Sequence, residues 1–254
     1  SEALETLTTK GETANLAAFF DGIVAANMPN SIFVDCTAHQ QVANGYNQLL
    51  DASIAVVTPN KLACSGSFQN FKELKAIAQK RNIKFLYETN VAAGLPVIST
   101  LNDLLQSGDK VLKVEAILSG SLNFIFNSVS AEKSLSCVVK EAMEKGYTEP
   151  DPRIDLSGTD VARKILILAR ELGQSISIED VELTPFIPKE VLEAPSVAAF
   201  LQKIEQYDAT FEKERSLLDE SREKYRVIAS YEDGKASIEL KKFNTSPPFY
   251  LAKG

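Results

Sequence analysis

Three short apolar runs near the start of the chain constrain its fold most. They read SIFVDCT from Ser31, SIAVVT from Ser53 and IKFLYE from Ile83. Consecutive apolar, β-branched and aromatic residues are typical of parallel strands that are buried on both faces of a sheet. Segments of helical length, 39–52 and 68–81, separate the three runs. The order strand, helix, strand, helix, strand predicts part of a doubly wound α/β sheet.

The pattern changes after the third run. A helix over about 95–106 and a long strand over 111–118 come first, and helices then dominate. Two strands follow over 225–231 and 236–243, joined across Glu232-Asp233-Gly234. Asp-Gly between two apolar strands is typical of a tight β-hairpin. Helices followed by a hairpin indicate an α+β arrangement.

These patterns predict an α/β protein with two domains. Residues 1–95 are expected to form a partial Rossmann-type parallel sheet, and residues 96–254 an α+β domain. The twelve glycines include no G-x-G pair, so the phosphate-binding loop of a dinucleotide fold is missing from this sequence. We therefore expect the first βα unit to be absent, and to precede Ser1.

Composition excludes several classes of partner. The net charge is −7, the pI is near 5.0, and Lys and Arg are scattered, which argues against nucleic-acid and anionic-membrane partners. No apolar run reaches the roughly 20 residues of a membrane span. Cys36, Cys64 and Cys137 are odd in number and widely spaced, which indicates reduced thiols in a cytoplasmic protein. His39 has no second ligand at zinc-binding spacing.

Polar residues follow each of the three predicted strands. The strands end in Asp35-Cys36-Thr37, in Thr58-Pro59-Asn60-Lys61 and in Glu88-Thr89-Asn90. Ligands of open α/β sheets bind beyond the carboxyl ends of the strands. Each polar group can equally cap the following helix, and for Thr37 or Asn60 alone that interpretation is favoured. The amine of Lys61 stands where a phosphate, a carboxylate or a reacting carbonyl would bind.

The segment 146–164, GYTEPDPRIDLSGTDVARK, concentrates functional side chains. Two prolines restrict the backbone, so its side chains are pre-positioned. Carboxylates are available to bind an ammonium group, and two cations can face a carboxylate or exchange a proton. The carboxylates are Glu149, Asp151, Asp155 and Asp160, and the cations are Arg153 and Lys164.

Asp160 and Lys164 also allow a simpler interpretation. They are four residues apart, and hence neighbours on one helix face. Such pairs are most often solvated, contributing roughly 0.2–0.5 kcal/mol. Asp160 would also suit the first turn of a helix that Ser157 caps. Spacing alone does not decide between these interpretations and a reactive pair.

Four motifs together resemble homoserine dehydrogenase. They are VVTPNK followed by LACSG, then ETNVAAGLPVI, ILSGSLNFIFN and GYTEPDPRIDLSGTDVARK, in the order and approximate spacing of that family. The resemblance extends from about Ser31 to Gly173. The run VDCTAHQQVANGY and the long carboxy-terminal part further resemble the dehydrogenase half of bifunctional aspartokinase–homoserine dehydrogenases.

The resemblance implies an NAD(P)-dependent enzyme that interconverts L-homoserine and L-aspartate 4-semialdehyde, on the route to threonine and methionine. It also implies a bound Na⁺, an NAD(P)-binding role for residues 1–95, and a catalytic and dimerisation role for residues 96–254. We expect a homodimer that shares a sheet through the strand from Val111 or the carboxy-terminal strand pair. Two alternatives stay open. One is a non-catalytic, dimerising, amino-acid-sensing module of an aspartokinase fusion, and the other is a dehydrogenase for a different amino acid.

The resemblance assigns roles to individual residues. Lys164 matches the acid/base lysine, Asp160 its neighbouring aspartate, and Lys61 a lysine near both nicotinamide and substrate. The implied substrate-binding residues are Glu149, Asp155, Gly120, Ser121, Tyr147 and Thr148. The implied cofactor contacts are Thr37, Lys61 and Gly254. The implied sodium ligands are oxygens, largely main-chain carbonyls, of Glu88, Val91, Ala93 and Leu95, and hard oxygen ligands suit a hard cation.

Overall fold

The computed structural model describes residues 2–219, 222–245 and 248–252. The chain divides into two units, residues 1–90 and 91–254. The predicted domain boundary, after residue 95, lies slightly later than this division. No helix in the described ranges is long and apolar enough to cross a membrane.

The first unit contains a parallel three-stranded sheet with helices between its strands, as predicted. Its strands pair in the order β1-β2-β3, and no strand precedes β1 among residues 2–31. The strands are β1 (Ile32–Val34), β2 (Ala55–Val57) and β3 (Phe85–Leu86). The helices are α1 (Glu2–Lys10), α2 (Leu16–Ala26), α3 (Gln40–Ala43), α4 (Tyr46–Asp51), α5 (Leu62–Ser65) and α6 (Phe68–Arg81).

Helices pack on one face of this sheet. Phe33 and Val56 point into the core that α4 and α6 cover, and Val56 is fully buried. On the opposite face Ile32, Val34 and Leu86 are exposed by 64%, 60% and 49%. The prediction that the runs are buried on both faces is therefore wrong for β1 and β3. Alternate residues point to opposite faces, and an apolar run does not show which face is covered.

The predicted helix over 39–52 is instead two short helices, α3 and α4. The interruption falls at Asn44 and Gly45, and a Cβ at Gly45 would lie 2.4 Å from the Phe20 ring of α2. The close approach of Phe20 fits only a glycine here. The break leads into α4, whose first residue, Tyr46, is fully buried.

The second unit surrounds a four-stranded sheet of order β4-β6-β7-β5, antiparallel except for the parallel β5–β7 pair. This matches the predicted α+β class. Its strands are β4 (Lys113–Ala116), β5 (Val181–Leu183), β6 (Lys224–Glu232) and β7 (Lys235–Phe243). Its helices are α7 (Val97–Gln106), α8 (Gly120–Ser128), α9 (Leu135–Glu144), α10 (Pro152–Leu156), α11 (Thr159–Glu171), α12 (Lys189–Leu192) and α13 (Val197–Arg215).

The hairpin between β6 and β7 is confirmed. Asp233 and Gly234 have φ angles of 48° and 81°, as a two-residue turn of this kind requires. The predicted long strand over 111–118 is wrong in length. It pairs with β6 only over Lys113–Ala116, because Ser119 already caps the next helix. The three-residue β5 is missing from the prediction.

Helix α11 is the central helix of the second unit. Val161 is buried, and so are all residues from Ile165 to Glu171. Asp160 and Lys164 lie in its amino-terminal half. Packing of its carboxy-terminal half therefore fixes the position of this pair.

The buried Arg226 of β6 binds the carboxy-terminal turn 249–251. Its guanidinium donates to the carbonyls of Phe249 at 2.9 Å, Tyr250 at 3.0 Å and Ala252 at 2.8 Å. Burial lowers its pKa. The predicted cofactor contact Gly254 lies outside the described residues.

Candidate active site

Lys164 is held by two acceptors. Its Nζ lies 2.7 Å from Asp160 Oδ2 and donates to the Leu118 carbonyl, also at 2.7 Å. The side chain of Lys164 is 17% exposed, whereas that of Asp160 is 45% exposed. A solvated surface pair does not have such a buried cation or a third, tertiary partner. The ammonium is therefore fixed in place.

A second carboxylate lies beside the start of α8. Asp155 accepts a hydrogen bond from the Ser121 hydroxyl at 2.7 Å and from the Glu149 backbone N–H at 2.8 Å. Ser119 Oγ lies 3.0 Å from Ser121 Oγ and accepts from the N–H of Leu122, so it caps the helix. Both oxygens of Asp155 have donors, and its orientation is thereby set.

The contacts of Lys164 and those of Asp155 are adjacent in the chain. Leu118, whose carbonyl accepts from Lys164, directly precedes Ser119, which lies beside Ser121. The resulting "α8 cluster" consists of Asp160, Lys164, the Leu118 carbonyl, Ser119, Ser121, Asp155 and the Glu149 N–H. Leu118 and Ser119 are absent from the residues that the sequence suggested. The run SGSLNF offered a signal for Ser119, since serine is a preferred amino-terminal cap.

The proline loop before α10 contains an internal ion pair. Asp151 caps α10, Pro152 is its first residue, and the Arg153 guanidinium binds Asp151 and donates to the Ala194 carbonyl. The guanidinium lowers the pKa of Asp151, and Asp151 raises the pKa of Arg153. The Asp151 carboxylate and the Arg153 guanidinium, which the sequence suggested as ligand-binding groups, therefore bind each other.

Gly158 connects α10 to α11. Its φ is 71°, and a Cβ there would lie 2.7 Å from Leu183 Cδ1. It takes the capping position of α11, so the predicted Ser157 cap is wrong. The Ser157 hydroxyl instead accepts from the N–H of Thr159 at 3.2 Å.

The remaining predicted substrate contacts lie next to the α8 cluster in sequence. Tyr147 is 52% exposed and packs against Phe124 with ring centroids 4.9 Å apart. The Thr148 hydroxyl donates to the Glu149 carbonyl at 3.0 Å. A Cβ at Gly120 would meet open space. Glu149 itself is exposed.

The first unit has a buried polar network at the ends of β1 and β2. Asp35 accepts from the Thr37 N–H at 2.7 Å, from Asn60 Nδ2 at 3.0 Å and from the Tyr46 hydroxyl. Tyr46 Oη also lies 2.9 Å from Thr58 Oγ1. Burial disfavours the ionised form of Asp35, but these hydrogen bonds outweigh burial, and its pKa is lowered. Burial, with Asp35 as neighbour, raises the pKa of Tyr46.

Thr37 lines an open cleft of about 850 Å³ at the carboxyl end of β1. Leu16 and Phe19 of α2 form an apolar side of this cleft, and His39 lies beside Thr37. Thr37 Oγ1 accepts from the His39 N–H at 3.2 Å. Lys61 immediately precedes α5, and its carbonyl accepts from the Ser65 hydroxyl at 2.9 Å.

Comparison with known proteins identifies the family. A profile described as "Homoserine dehydrogenase" matches residues 96–254, and one described as "Homoserine dehydrogenase, NAD binding domain" matches residues 1–88. The chain belongs to the homoserine dehydrogenase family. The predicted resemblance and the α/β fold class are both confirmed.

Relatives of this homoserine dehydrogenase family member include fusion proteins. It is 41% identical to the chloroplastic bifunctional aspartokinase/homoserine dehydrogenase 2 of Arabidopsis thaliana, over 98% of the chain. It is 43% identical to the bifunctional enzyme of Haemophilus influenzae, over 88% of the chain. The chain spans 28% of the length of each. It is 35% identical to Schizosaccharomyces pombe homoserine dehydrogenase, covering 96% of the chain and 67% of that protein.

Solved structures share the fold. A Candida auris protein of unknown function has a TM-score of 0.88 and 33% identity, over 99% of this chain and 73% of that one. A hyperthermophilic archaeal homoserine dehydrogenase in complex with NADPH has a TM-score of 0.68 and 24% identity, over 100% of this chain and 70% of that one. The second likeness supports the fold alone.

The structure brings most predicted substrate and catalytic residues of this homoserine dehydrogenase family member together. Lys164, Asp160, Ser121, Asp155 and the backbone of Glu149 belong to the α8 cluster, and Gly120 begins α8. Thr37 and Lys61 lie in the first unit, at the ends of neighbouring strands. The roles of these residues stay predictions.

The predicted sodium site relies on main-chain oxygens. In the described ranges no group of three or more His, Cys, Asp or Glu side chains could hold a metal ion. Glu88 lies in the first unit, and Val91, Ala93 and Leu95 in the second. Ala93 has a φ of 52°, and Ala92 a φ of 59°. Two successive alanines in the left-handed region form a strained turn.

Proposed function

We propose that this chain is a homoserine dehydrogenase, the dehydrogenase part of a bifunctional aspartokinase–homoserine dehydrogenase, and that it interconverts L-homoserine and L-aspartate 4-semialdehyde with NAD(P) in threonine and methionine biosynthesis. The main observation that supports the proposal is the α8 cluster. It holds a mostly buried lysine beside carboxylates, in a chain that belongs to this family. Such a site can bind an amino acid and move a proton.

Lys164 is proposed as the acid/base group. An ammonium group has three hydrogens, and Asp160 and the Leu118 carbonyl accept two of them. The third is available to the substrate oxygen. In oxidation the neutral amine takes the hydroxyl proton, and in reduction the ammonium returns it to the carbonyl oxygen. Asp160 and Leu118 keep Nζ in position in both directions.

Glu149 and Asp155 are proposed to hold the substrate's ammonium group. Asp155 is oriented by Ser121 and by the Glu149 N–H. Glu149 belongs to the same loop, and its side chain is exposed. Gly120, Tyr147 and Thr148 would complete this site. The open space at Gly120 leaves room for a ligand to approach the backbone.

NAD(P) would accept the hydride that leaves the carbinol carbon. The cleft beside Thr37 fits part of a nucleotide, because it combines apolar side chains with a hydroxyl at the carboxyl end of a parallel strand. Thr37 and Lys61 are the proposed contacts in this unit, and Gly254 a further one. Lys61 is proposed to stabilise negative charge on the reacting oxygen.

Sodium is proposed as a structural cation. Glu88, Val91, Ala93 and Leu95 would supply its oxygens, mostly as main-chain carbonyls. The left-handed φ of Ala93 supports this proposal, because a strained backbone conformation persists only where surrounding interactions stabilise it, and a bound cation would supply such interactions.

A homodimer is also proposed. In the observed sheet β6 and β7 are inner strands, whereas β4 and β5 are at its edges. A sheet shared between subunits would therefore have to extend from β4 or β5 rather than from the carboxy-terminal pair. Sedimentation of the full-length protein at micromolar concentration tests this, and a monomer would contradict it.

A cytoplasmic location is proposed from the thiols. Cys36, Cys64 and Cys137 form no disulfide bond with one another. A reducing compartment favours free thiols. The named plant relatives are chloroplastic, so cell fractionation has to distinguish the two compartments.

The experiment that tests the function is NAD(P)-dependent oxidation of L-homoserine by the full-length protein, with L-aspartate as the competing substrate. Turnover of homoserine alone supports the proposal. Turnover of aspartate would indicate a different amino-acid dehydrogenase. Threonine binding by calorimetry, without turnover of either substrate, would indicate an amino-acid-sensing module.

A further inference from the structure

Asp35 connects two positions that are predicted to face the reaction. Its carboxylate is buried, with 1% of the residue exposed. Oδ1 accepts from the backbone N–H of Thr37, while Oδ2 accepts from Asn60 Nδ2 and the Tyr46 hydroxyl. Asp35 thereby joins the end of β1 to the end of β2.

Only a carboxylate satisfies all these donors. Its three partners each bring a hydrogen, and an ionised carboxylate accepts at both oxygens. An amide at this position would turn an NH₂ group towards either the Thr37 N–H or the Asn60 NH₂ group. One of these contacts would then place two donors against each other in a buried site.

The connection extends to Lys61 through Asn60. Asn60 donates to Asp35 and accepts, through Oδ1, from the N–H of Leu62 at 3.1 Å. Its own N–H donates to Thr58 Oγ1 at 2.9 Å. Asn60 is thus fixed on both sides, and it immediately precedes Lys61. Moving Asn60 would move the lysine backbone.

We propose that Asp35 is a positioning residue, which sets Thr37 and Lys61 relative to each other at the carboxyl edge of the sheet. This proposal rests on the proposed function, because it concerns residues expected to contact NAD(P) and the reacting oxygen. Tyr46 has a different, structural role. Its hydroxyl satisfies the same carboxylate from the core side, and it binds neither Thr37 nor Asn60 in the described part of the chain.

The test compares Asp35→Asn with Tyr46→Phe in the full-length protein. Asp35→Asn should raise the KM for NAD(P) roughly tenfold and lower kcat by a similar factor, the effect of about one hydrogen bond to a charged group. The KM for homoserine should change less than about twofold. Tyr46→Phe removes a hydrogen bond to the same carboxylate and should lower stability with both kinetic constants near wild type. Equal kinetic effects of the two variants would overturn the proposal.

A second readout does not depend on activity. Amide hydrogen exchange of the peptide containing Thr37 should accelerate in Asp35→Asn and stay near wild type in Tyr46→Phe. Unchanged exchange in Asp35→Asn would overturn the positioning role. A wild-type protein that does not oxidise homoserine would instead reject the proposed function, and this exchange experiment would still decide the role of Asp35.

A third variant covers the case in which Asp35→Asn does not fold. Asn60→Ala keeps the Asp35–Thr37 hydrogen bond and removes the side-chain bonds of Asn60 to Asp35, to the His39 carbonyl and from the Leu62 N–H, which hold the residue next to Lys61. It should lower kcat and raise the KM for NAD(P) less than Asp35→Asn does, since the Thr37 bond persists. An unchanged kcat would overturn the connection to Lys61.

Discussion

At the scale of single residues, the α8 cluster works through donors and acceptors that are matched. Lys164 has two acceptors and keeps one hydrogen for a ligand, and Asp155 has one donor on each oxygen. Matched groups lose little freedom when a substrate binds, because their geometry is already set. Ser121 donates to Asp155 and lies 3.0 Å from Ser119 Oγ, and its hydroxyl can be removed with little disturbance because Ser119 still caps the helix.

Ser121→Ala should weaken substrate binding more than turnover. Without the hydroxyl, Asp155 loses one donor and its position relative to Glu149 becomes less defined. We expect the KM for homoserine to rise roughly tenfold and kcat to fall less than about threefold, the effect of one charge-assisted hydrogen bond. Steady-state kinetics measure both constants. Ser216→Ala, at an exposed serine that bonds only the Lys213 carbonyl, is the control, and an equal KM for both variants would contradict the assignment.

At the scale of elements, local signals predicted some bounds and tertiary packing decided the others. Helix α6 runs over Phe68–Arg81 as predicted, because Ser67 caps it and Asn82 ends it in the left-handed conformation. The close approach of Phe20 to Gly45, at the break between α3 and α4, was not predictable, since the two residues are distant in sequence. The length of β4 depends on its pairing with β6.

In the candidate site, too, the sequence predicted the local contacts but not the tertiary ones. The Asp160–Lys164 pair was predictable because four residues of helix bring the side chains together. The Leu118 carbonyl was not, because it lies 46 residues away in the chain. The Asp35–Tyr46–Asn60 network also escaped prediction. Strand-end positions suggested Asp35 and Asn60, but no local signal indicated that Tyr46 completes their hydrogen bonds.

Gly158, which joins α10 to α11, should tolerate no side chain. Gly158→Ala would combine a left-handed backbone with a contact of 2.7 Å to Leu183. Gly173→Ala is a matched control, because its φ is 83° and a Cβ there would meet open space. We expect a loss of about 1 kcal/mol for Gly173→Ala from the backbone, and an additional 1–3 kcal/mol, roughly, for Gly158→Ala from overpacking. Urea unfolding measures the two values, and equal values would contradict this packing.

At the scale of the whole molecule, the acidic chain depends on carboxylates that remain ionised when folded. Hydrogen bonds from Tyr46, Asn60 and Thr37 outweigh burial and lower the pKa of Asp35, and Arg153 lowers that of Asp151. A lowered pKa in the folded state means that the unfolded state binds protons more readily. This contribution to stability is complete above the ordinary aspartate pKa of about 3.9 and is lost as the pH falls through the lower folded value.

The free energy of unfolding should therefore decrease as the pH falls below about 4. Asp35→Asn should lower stability at neutral pH and also reduce this decrease, because it removes one of the groups responsible. Urea unfolding at several pH values between about 6 and 2.5 measures both effects. A wild-type protein and an Asp35→Asn variant with the same pH dependence would show that Asp35 has an ordinary pKa when folded.

The central claim is that Lys164, fixed by Asp160 and the Leu118 carbonyl, transfers the proton in homoserine oxidation. The most direct test is the turnover of L-homoserine with NAD(P) by full-length wild-type, Lys164→Ala and Lys189→Ala proteins, with thermal unfolding as the check of fold. Lys189 is also paired with an acidic residue four positions away, but its side chain is 80% exposed. We predict that Lys164→Ala lowers kcat by roughly 10²–10⁴-fold, the usual contribution of an acid/base group, and that Lys189→Ala has no effect. A folded Lys164→Ala protein with near-wild-type kcat would contradict the account.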